Sequence, residues 1–319
     1  MTTRARPDPT LALVLGLAMG LTAGSAAGCA HAPPMAIRPG IAPSAEALLQ
    51  ILAQRRGALR SLNARARATS WIGGDRLRAT VLMLVERGGR LRFEAEISLQ
   101  GTVSILTTDG AGRFQLLDMR NNQLQQGPAC PANVASMIRI PLAPAEVAAL
   151  LLGDVWLPPW GSAGAGTADN PGRAASVGHV GHVGHVGNVR VEWDGTRRAD
   201  VLVVRHDSGA GDGAEETRVF FRPDDRGEQI TGVTVSGPAG PLWRASYEEL
   251  QDVPGGLRLP ALIRFAERAS SFDDGVEIRF KDRTPNPELS SANFEIQPPA
   301  GTRTIEVGCN GGDGAPSPP

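Results

Sequence analysis

The stretch Arg90–Thr108, RLRFEAEISLQGTVSILTT, decides the fold of this chain. Its first half places apolar side chains at every second position: Leu91, Phe93, Ala95, Ile97 and Leu99. A period of two predicts a β-strand with one apolar face and one solvated face. Gln100-Gly101 predicts a turn, because glycine accepts backbone angles that other residues resist. Val103 and Ile105 then return on the apolar face, so we predict a long antiparallel hairpin that needs further strands and a cover.

Further strand patterns flank this hairpin and are separated by turn residues such as Gly73-Gly74 and Gly88-Gly89. Tight turns between alternating segments predict an antiparallel meander. Strand–helix–strand alternation does not recur, which argues against a parallel sheet. The sequence therefore predicts a mainly β (α+β) fold: a half-open antiparallel barrel of about 11 strands, with short helices covering its concave face.

Three segments have helical features. Ser44 is a suitable N-cap for a helix over Ala45–Leu62, which carries leucines at helical spacing. Pro131–Arg139 is a second candidate. Pro144 opens a third over Ala145–Leu152, which Gly153 ends. The shortness of the last two, and their one apolar side, indicate covers for the sheet rather than a separate bundle.

The N-terminus predicts export. Arg4 and Arg6 precede an apolar run, Leu11–Ala23, that is too short to span a bilayer as a mature helix. Small residues then lead to Cys29, which resembles the bacterial lipoprotein signal in which the cysteine is diacylated. We expect a signal peptide over residues 1–28; the alternative is an ordinary secretory signal with Cys29 incidental. Because Ala30, and not Asp, follows the cysteine, resemblance to that class favours an anchor in the outer membrane, on its periplasmic side.

The remaining boundaries follow from composition. Residues 29–43 are rich in Pro and Ala and read as a tether. The folded domain is expected over residues 44–308, and residues 309–319 are expected to be disordered. With Cys29 lipidated, Cys130 and Cys309 remain; in an oxidising compartment they form a candidate disulfide, with two free thiols as the alternative.

A low-complexity insertion, residues 162–188, interrupts the domain and contains a Gly-His-Val repeat. In an extended polyproline-like conformation its His179, His182 and His185 could share one side and hold a metal. A glycine-rich repeat in a compositionally skewed chain is more simply a loop expansion, so we predict no metal site.

Charge and motifs exclude several functions. The net charge is −1, and removing residues 1–28 leaves −2, so there is no strong electrostatic case for nucleic acid. The sequence has no nucleophile elbow, phosphate-binding loop, dinucleotide glycine motif or HExxH zinc motif. His206 closes a strand pattern without an identifiable Ser or Cys partner. We therefore expect neither an enzyme nor a bound cofactor.

Three phrases carry a family resemblance: RFEAEISLQGTVSILTTDG from Arg92, LLLGDVWLPP from Leu150, and NPELSSANFEIQPPAGTRTIEV from Asn286. Together they resemble the LolB-like outer-membrane lipoproteins and a related bacterial domain of unassigned function, over roughly Ser44–Val307. The resemblance implies an incomplete antiparallel barrel whose apolar cavity, under helices, receives lipoprotein acyl chains. It also implies a role for Leu99, at the place of an exposed loop leucine that assists membrane insertion; alternatively, Leu99 only ends the apolar stripe of its strand.

A large sheet with an apolar concave face predicts a binding container, and the low aromatic content (14 of 319 residues) leaves less bulk to fill it. The expected partners are lipid or lipoprotein acyl chains, the membrane through the anchor, and envelope proteins. The rival hypothesis is an interaction subunit of an envelope complex with a filled core. The predicted cavity residues are Val81, Met83, Phe93, Ala95, Ile97, Ile105, Phe114, Leu116, Val147 and Leu151.

Overall fold

Fourteen strands form one sheet in the part of the chain that the computed structural model describes, residues 36–72, 75–97, 101–157, 188–207, 214–268, 272 and 275–309. The first six strands are β1 Ser61–Ile72, β2 Asp75–Glu86, β3 Arg90–Ile97, β4 Gly101–Asp109, β5 Arg113–Asp118 and β6 Gln123–Pro128. The other eight are β7 Val189–Asp194, β8 Ala199–Asp207, β9 Ala214–Asp224, β10 Gly227–Gly237, β11 Gly240–Val253, β12 Leu257–Glu267, β13 Val276–Pro285 and β14 Arg303–Glu306.

The sheet consists of two antiparallel meanders, β1–β6 and β7–β13, joined where β1 pairs with β13. The sheet is open, and its two edge strands are β7 and β14. The mainly β, open architecture predicted from the sequence is confirmed, although there are fourteen strands rather than about 11. One strand without a sequence signal is β14, which has four residues and pairs in parallel with β6.

The central hairpin forms as predicted, with β3 and β4 as its arms. Phe93 lies opposite Leu106, and Ala95 opposite Ser104, so these four positions share one face. A bulge follows Ala95 and shifts the register by one residue. Because side chains alternate between faces, the position of this bulge decides which residues of β4 reach the interior.

Three α-helices accompany the sheet in the described chain: α1 Ala45–Ala58, α2 Pro131–Ile138 and α3 Pro144–Leu151. Ser44 caps α1 as predicted, since its hydroxyl accepts a hydrogen bond from the Ala47 amide at 3.1 Å. The prediction that α1 extends to Leu62 is wrong. The backbone becomes extended at Leu59, and Leu62 belongs to the apolar face of β1.

The main core lies between the helices and one face of the sheet, and it includes residues from both meanders. Two hydrogen bonds connect the helical side of the core to strands of the second meander. The Arg55 guanidinium of α1 donates to the Arg258 carbonyl of β12 at 3.1 Å. The Tyr247 hydroxyl of β11 donates to the Asp154 carbonyl, just after α3, at 2.7 Å. The sheet therefore curves around the helices.

A buried ion cluster fixes the end of α3. The Asp154 carboxylate is fully buried and lies 2.7 Å from Arg87 Nη1 and 3.3 Å from Arg56 Nε. Its other oxygen accepts the Val155 amide at 2.8 Å. Burial also lowers the pKa of the neighbouring Arg55. One carboxylate thus joins α1, the turn between β2 and β3, and the segment after α3.

Candidate functional site

An apolar cavity of about 260 Å³ lies between the concave face of the sheet and α2. The sheet contributes residues of β1, β2, β3 and β13, while α2 and the residues after it supply the opposite wall. The lining residues are Ala68, Thr69, Ser70, Leu77, Arg78, Ala79, Val81, Met83, Phe93, Ala95, Ser136, Met137, Ile138, Arg139, Ile140, Leu151, Val276 and Ile278. Most of these are aliphatic, so the cavity fits an apolar ligand.

The cavity has an apolar deep end and a polar mouth. At the deep end Met83, Phe93 and Ile140 are at most 3% exposed. At the mouth the polar side chains of Ser136 and Arg139 are exposed, next to Leu77, which is 54% exposed. A ligand with one apolar and one polar end would therefore enter apolar end first.

Half of the ten predicted cavity residues line this cavity: Val81, Met83, Phe93, Ala95 and Leu151. They come together because β2 and β3 alternate as the sequence indicates, and because α3 packs against both strands. Phe114, Leu116 and Val147 are buried in the main core outside the lining. The side chain of Ile97 lies outside the described residues.

The prediction that Ile105 lines the cavity is wrong. Its side chain lies with a separate cluster of Leu117, Leu124 and Ile296 on the outer face of the sheet. The bulge after Ala95 explains the difference, since it makes Leu106, not Ile105, the interior residue opposite Phe93.

Sequence reasoning missed the wall formed by α2 and the residues after it, Met137–Ile140, and the contribution of Val276 and Ile278 from β13. The apolar residues of α2 were recognised as a cover, but nothing local indicates which strands they face. The Met137 sulfur accepts a hydrogen bond from the Ser104 hydroxyl at 3.8 Å, which ties α2 to β4.

The next helix, α3, has a partly buried acidic cap. Glu146 Oε2 accepts a hydrogen bond from the Ala143 amide at 2.9 Å. Burial raises the pKa of Glu146, and the hydrogen bond to the backbone opposes this shift in part. The carboxylate thus caps α3 from an environment that disfavours its charge.

A second hollow, of about 570 Å³, lies on the outer face of β9–β12 and has a different character. Its lining includes Arg258 and Glu249, which form ion pairs with Asp224 and with Arg279, the latter at 2.7 Å. Burying an alkyl chain there would remove water from paired charges, so this hollow does not suit one.

Cys130 and Cys309 are brought together. Cys130 is the N-cap of α2, and Cys309 follows β14. The pairing of β14 with β6 sets Glu306 opposite Gln126, and the Val307 amide still donates to the Gln126 carbonyl at 2.9 Å, so the chain after β14 runs toward Cys130, which is hydrogen-bonded to Cys309. Desolvation and the adjacent Cys130 thiol raise the pKa of Cys309 to about 11. Both are thiols in this structure, and their disulfide stays a prediction.

Several predicted residues lie outside the described part of the chain: Cys29, Leu99, His179, His182 and His185. Their roles stay predictions. Within the described residues, no group of three or more His, Cys, Asp or Glu side chains could hold a metal ion. None of the helices described is long and apolar enough to cross a membrane.

No protein-family model and no curated protein matches the chain. Several solved structures do, and three of them are compared with the chain. A DUF1329 family protein from Desulfovibrio piger is 9% identical, with 80% of this chain and 98% of that chain covered and a TM-score of 0.48. A putative outer membrane lipoprotein-sorting protein domain from Vibrio parahaemolyticus is 10% identical, with 79% and 95% covered and a TM-score of 0.48.

The third is a LolA superfamily protein from Nitrosomonas europaea, 11% identical, with 80% and 99% covered and a TM-score of 0.41. Since all three identities are near 10% and all three TM-scores are below 0.5, these likenesses carry no argument about ligands or location.

Proposed function

We propose that this protein is an exported, non-enzymatic lipoprotein of the outer membrane that binds an acyl chain of a lipid or lipoprotein. The observation that carries the proposal is the aliphatic cavity of about 260 Å³ between the concave face and α2. A filled interior would have supported the rival hypothesis of an interaction subunit instead.

The size of the cavity supports a ligand with a single chain. Small-molecule pockets start at about 300 Å³, so this one is near the lower limit and does not accommodate several chains at once. Each methylene transferred from water contributes about 0.8 kcal/mol when fully buried. About ten methylenes therefore supply roughly 8 kcal/mol before the costs of association, which is enough for reversible binding.

The location in the proposal depends on Cys29 and the segment before it. Two acyl chains on that cysteine give a stable anchor. The chain contacts the sheet from Ala36 onward, since the Trp193 indole donates to the Ala36 carbonyl at 2.7 Å and Arg38 pairs with Asp200 at 2.7 Å, so residues 30–35 are left to separate the domain from the membrane surface. Radiolabelled palmitate incorporation, compared between the native chain and Cys29→Ser, tests the anchor separately from the cavity.

The binding test is native mass spectrometry of the purified domain, together with titration of a fluorescent fatty acid. We expect co-purified or added lipid to bind with about 1:1 stoichiometry. Ala95→Phe fills the cavity from β3 and should reduce binding at least about tenfold, because the new ring occupies the volume of the chain.

Ala132→Phe is the matched control, since Ala132 is an exposed residue of α2 that does not line the cavity. It should bind as the native chain does. If the native protein binds no lipid, or if Ala95→Phe binds as tightly as Ala132→Phe, then the carrier proposal is wrong and the interaction subunit is favoured.

A further inference from the structure

We propose that the ligand of the cavity is a single-chain amphiphile with an anionic head, and that Arg139 selects the head by its charge. This inference rests on the proposed acyl-chain binding and adds a class of head group to it. It concerns only residues at the mouth of the cavity.

The charged residues that line the cavity are all positive. Arg78 and Arg139 are its charged residues, and no carboxylate lines the cavity among the described residues. Alternation along β2 places Arg78 on the outer side, because Leu77 and Ala79 take the concave side. Arg139, carried by the helix wall, is therefore the cation that faces the mouth.

The Arg139 side chain is available to a ligand. It is exposed, and within the described chain its guanidinium makes no hydrogen bond and no ion pair. Many other arginines of the sheet are paired, as Arg65 is with Glu96 at 3.2 Å. A guanidinium without a partner next to an apolar cavity complements a carboxylate, sulfate or phosphate head.

The backbone at Arg139 does not favour arginine. This residue caps α2 in the left-handed conformation, with φ 58° and ψ 28°. Glycine or asparagine is the usual residue there, because a β-carbon is strained in that region. A cation at a helix C-terminus interacts favourably with the helix dipole, so a ligand test has to separate that effect from head-group recognition.

The polarity along the cavity sets the orientation of the ligand. The tail would lie against Met83, Phe93 and Ile140, and the head would remain at the mouth with Ser70, Ser136 and Arg139. An anionic head gains an ion pair as well as hydrogen bonds from Arg139, a neutral hydroxyl head accepts a hydrogen bond without the ion pair, and a cationic head is repelled.

The experiment compares ligands that share a ten-carbon chain: decanoate, decyl sulfate, decanol and decyltrimethylammonium. Each displaces a fluorescent probe below its aggregation concentration. We expect the two anions to bind the native protein about 3- to 10-fold more tightly than decanol, with a preference that falls as salt is raised. Arg139→Gln should reduce the preference to less than about twofold, and Arg139→Lys should keep part of it.

Arg198→Gln is the matched control. Arg198 is also exposed and left-handed, with φ 53°, but it lies in the turn between β7 and β8, away from the cavity. Its variant should keep the full preference. Arg139→Gly relieves the backbone strain, so it should fold at least as well as the native chain and still lose the preference.

The outcomes separate the two proposals. If no ten-carbon ligand binds, then the acyl-chain function itself is overturned. If all four ligands bind with equal affinity, or if Arg139→Gln and Arg139→Gly keep the anion preference, then acyl-chain binding stands and head selection by Arg139 is wrong.

Discussion

Glu146 shows, at the scale of one residue, how burial and capping oppose each other. Its carboxylate accepts the Ala143 amide, yet burial raises its pKa. The ordinary pKa of glutamate is about 4.3, so the folded state binds the proton more tightly than the unfolded state does. The resulting stabilisation is present below the unfolded pKa and is lost as the pH rises through the folded pKa.

Glu146→Gln should therefore raise the free energy of unfolding at pH 7, because the amide oxygen still accepts the Ala143 amide without a buried charge. The difference from the native chain should vanish below about pH 4, where both side chains are neutral. Urea unfolding between pH 3.5 and 8 measures it. A less stable variant at pH 7 would mean that capping by the charged form outweighs its desolvation.

For single residues, the sequence predicts well which face of the sheet a side chain occupies, but it predicts poorly which residues that side chain contacts. The alternation of β2 and β3 placed Met83 and Phe93 correctly, because both lie in uninterrupted strands. The same reasoning failed for Ile105, because a bulge has no signature in the alternation on either side of it. The phrase LLLGDVW sets Asp154 among apolar residues, where an acid needs a cation, but no local pattern indicates that Arg56 and Arg87 supply it.

At the scale of elements, the ion cluster at Asp154 holds the helices to the sheet. Replacing Asp154 with alanine leaves Arg56 and Arg87 close together, near the half-buried Arg55, without a carboxylate to offset their charges. Removing one partner of a buried pair costs about 3–5 kcal/mol, so Asp154→Ala should lower the free energy of unfolding by about that amount. Denaturant unfolding measures the change.

Asp252→Ala is the control for this prediction. Asp252 pairs with Arg226 at 2.6 Å, but both side chains are more than half exposed, so the variant should lose at most about 1 kcal/mol. Equal losses in the two variants would show that Asp154 does not hold the helices. Sequence patterns predicted α2 and α3, whereas the end of α1 and the strand β14 depend on distant partners that local propensity does not see.

At the scale of the whole molecule, the predicted Cys130–Cys309 disulfide would close a loop of about 180 residues. A loop of that length corresponds to a stabilisation of up to about 5 kcal/mol. We expect non-reducing peptide mapping of the exported protein to find the linked pair, and reductant to lower its melting temperature. Cys130→Ser should melt at one temperature with or without reductant. Free thiols in the exported protein would contradict the prediction.

The position of the apolar cavity under α2 is likewise a property of the whole molecule. The sequence indicates which strands have an apolar concave face, but the space left unfilled depends on where α2 settles against β1, β2 and β13. These elements are far apart in the chain, so no local pattern encodes their distance. This is why half of the predicted residues line the cavity and others, such as Phe114, fill the core beside it.

The pairing of β1 with β13 affects the order in which the chain folds. β1 pairs with its first neighbour, β2, at once, but its other neighbour lies about 200 residues later, so its second edge stays unpaired until Val276–Pro285 is available. Unsatisfied strand edges recruit other strands. Such late pairing also slows folding. If the chain is exported as proposed, its translocation should depend on a holding chaperone until its C-terminal part emerges. Truncation before Val276 should yield aggregates rather than a smaller folded domain.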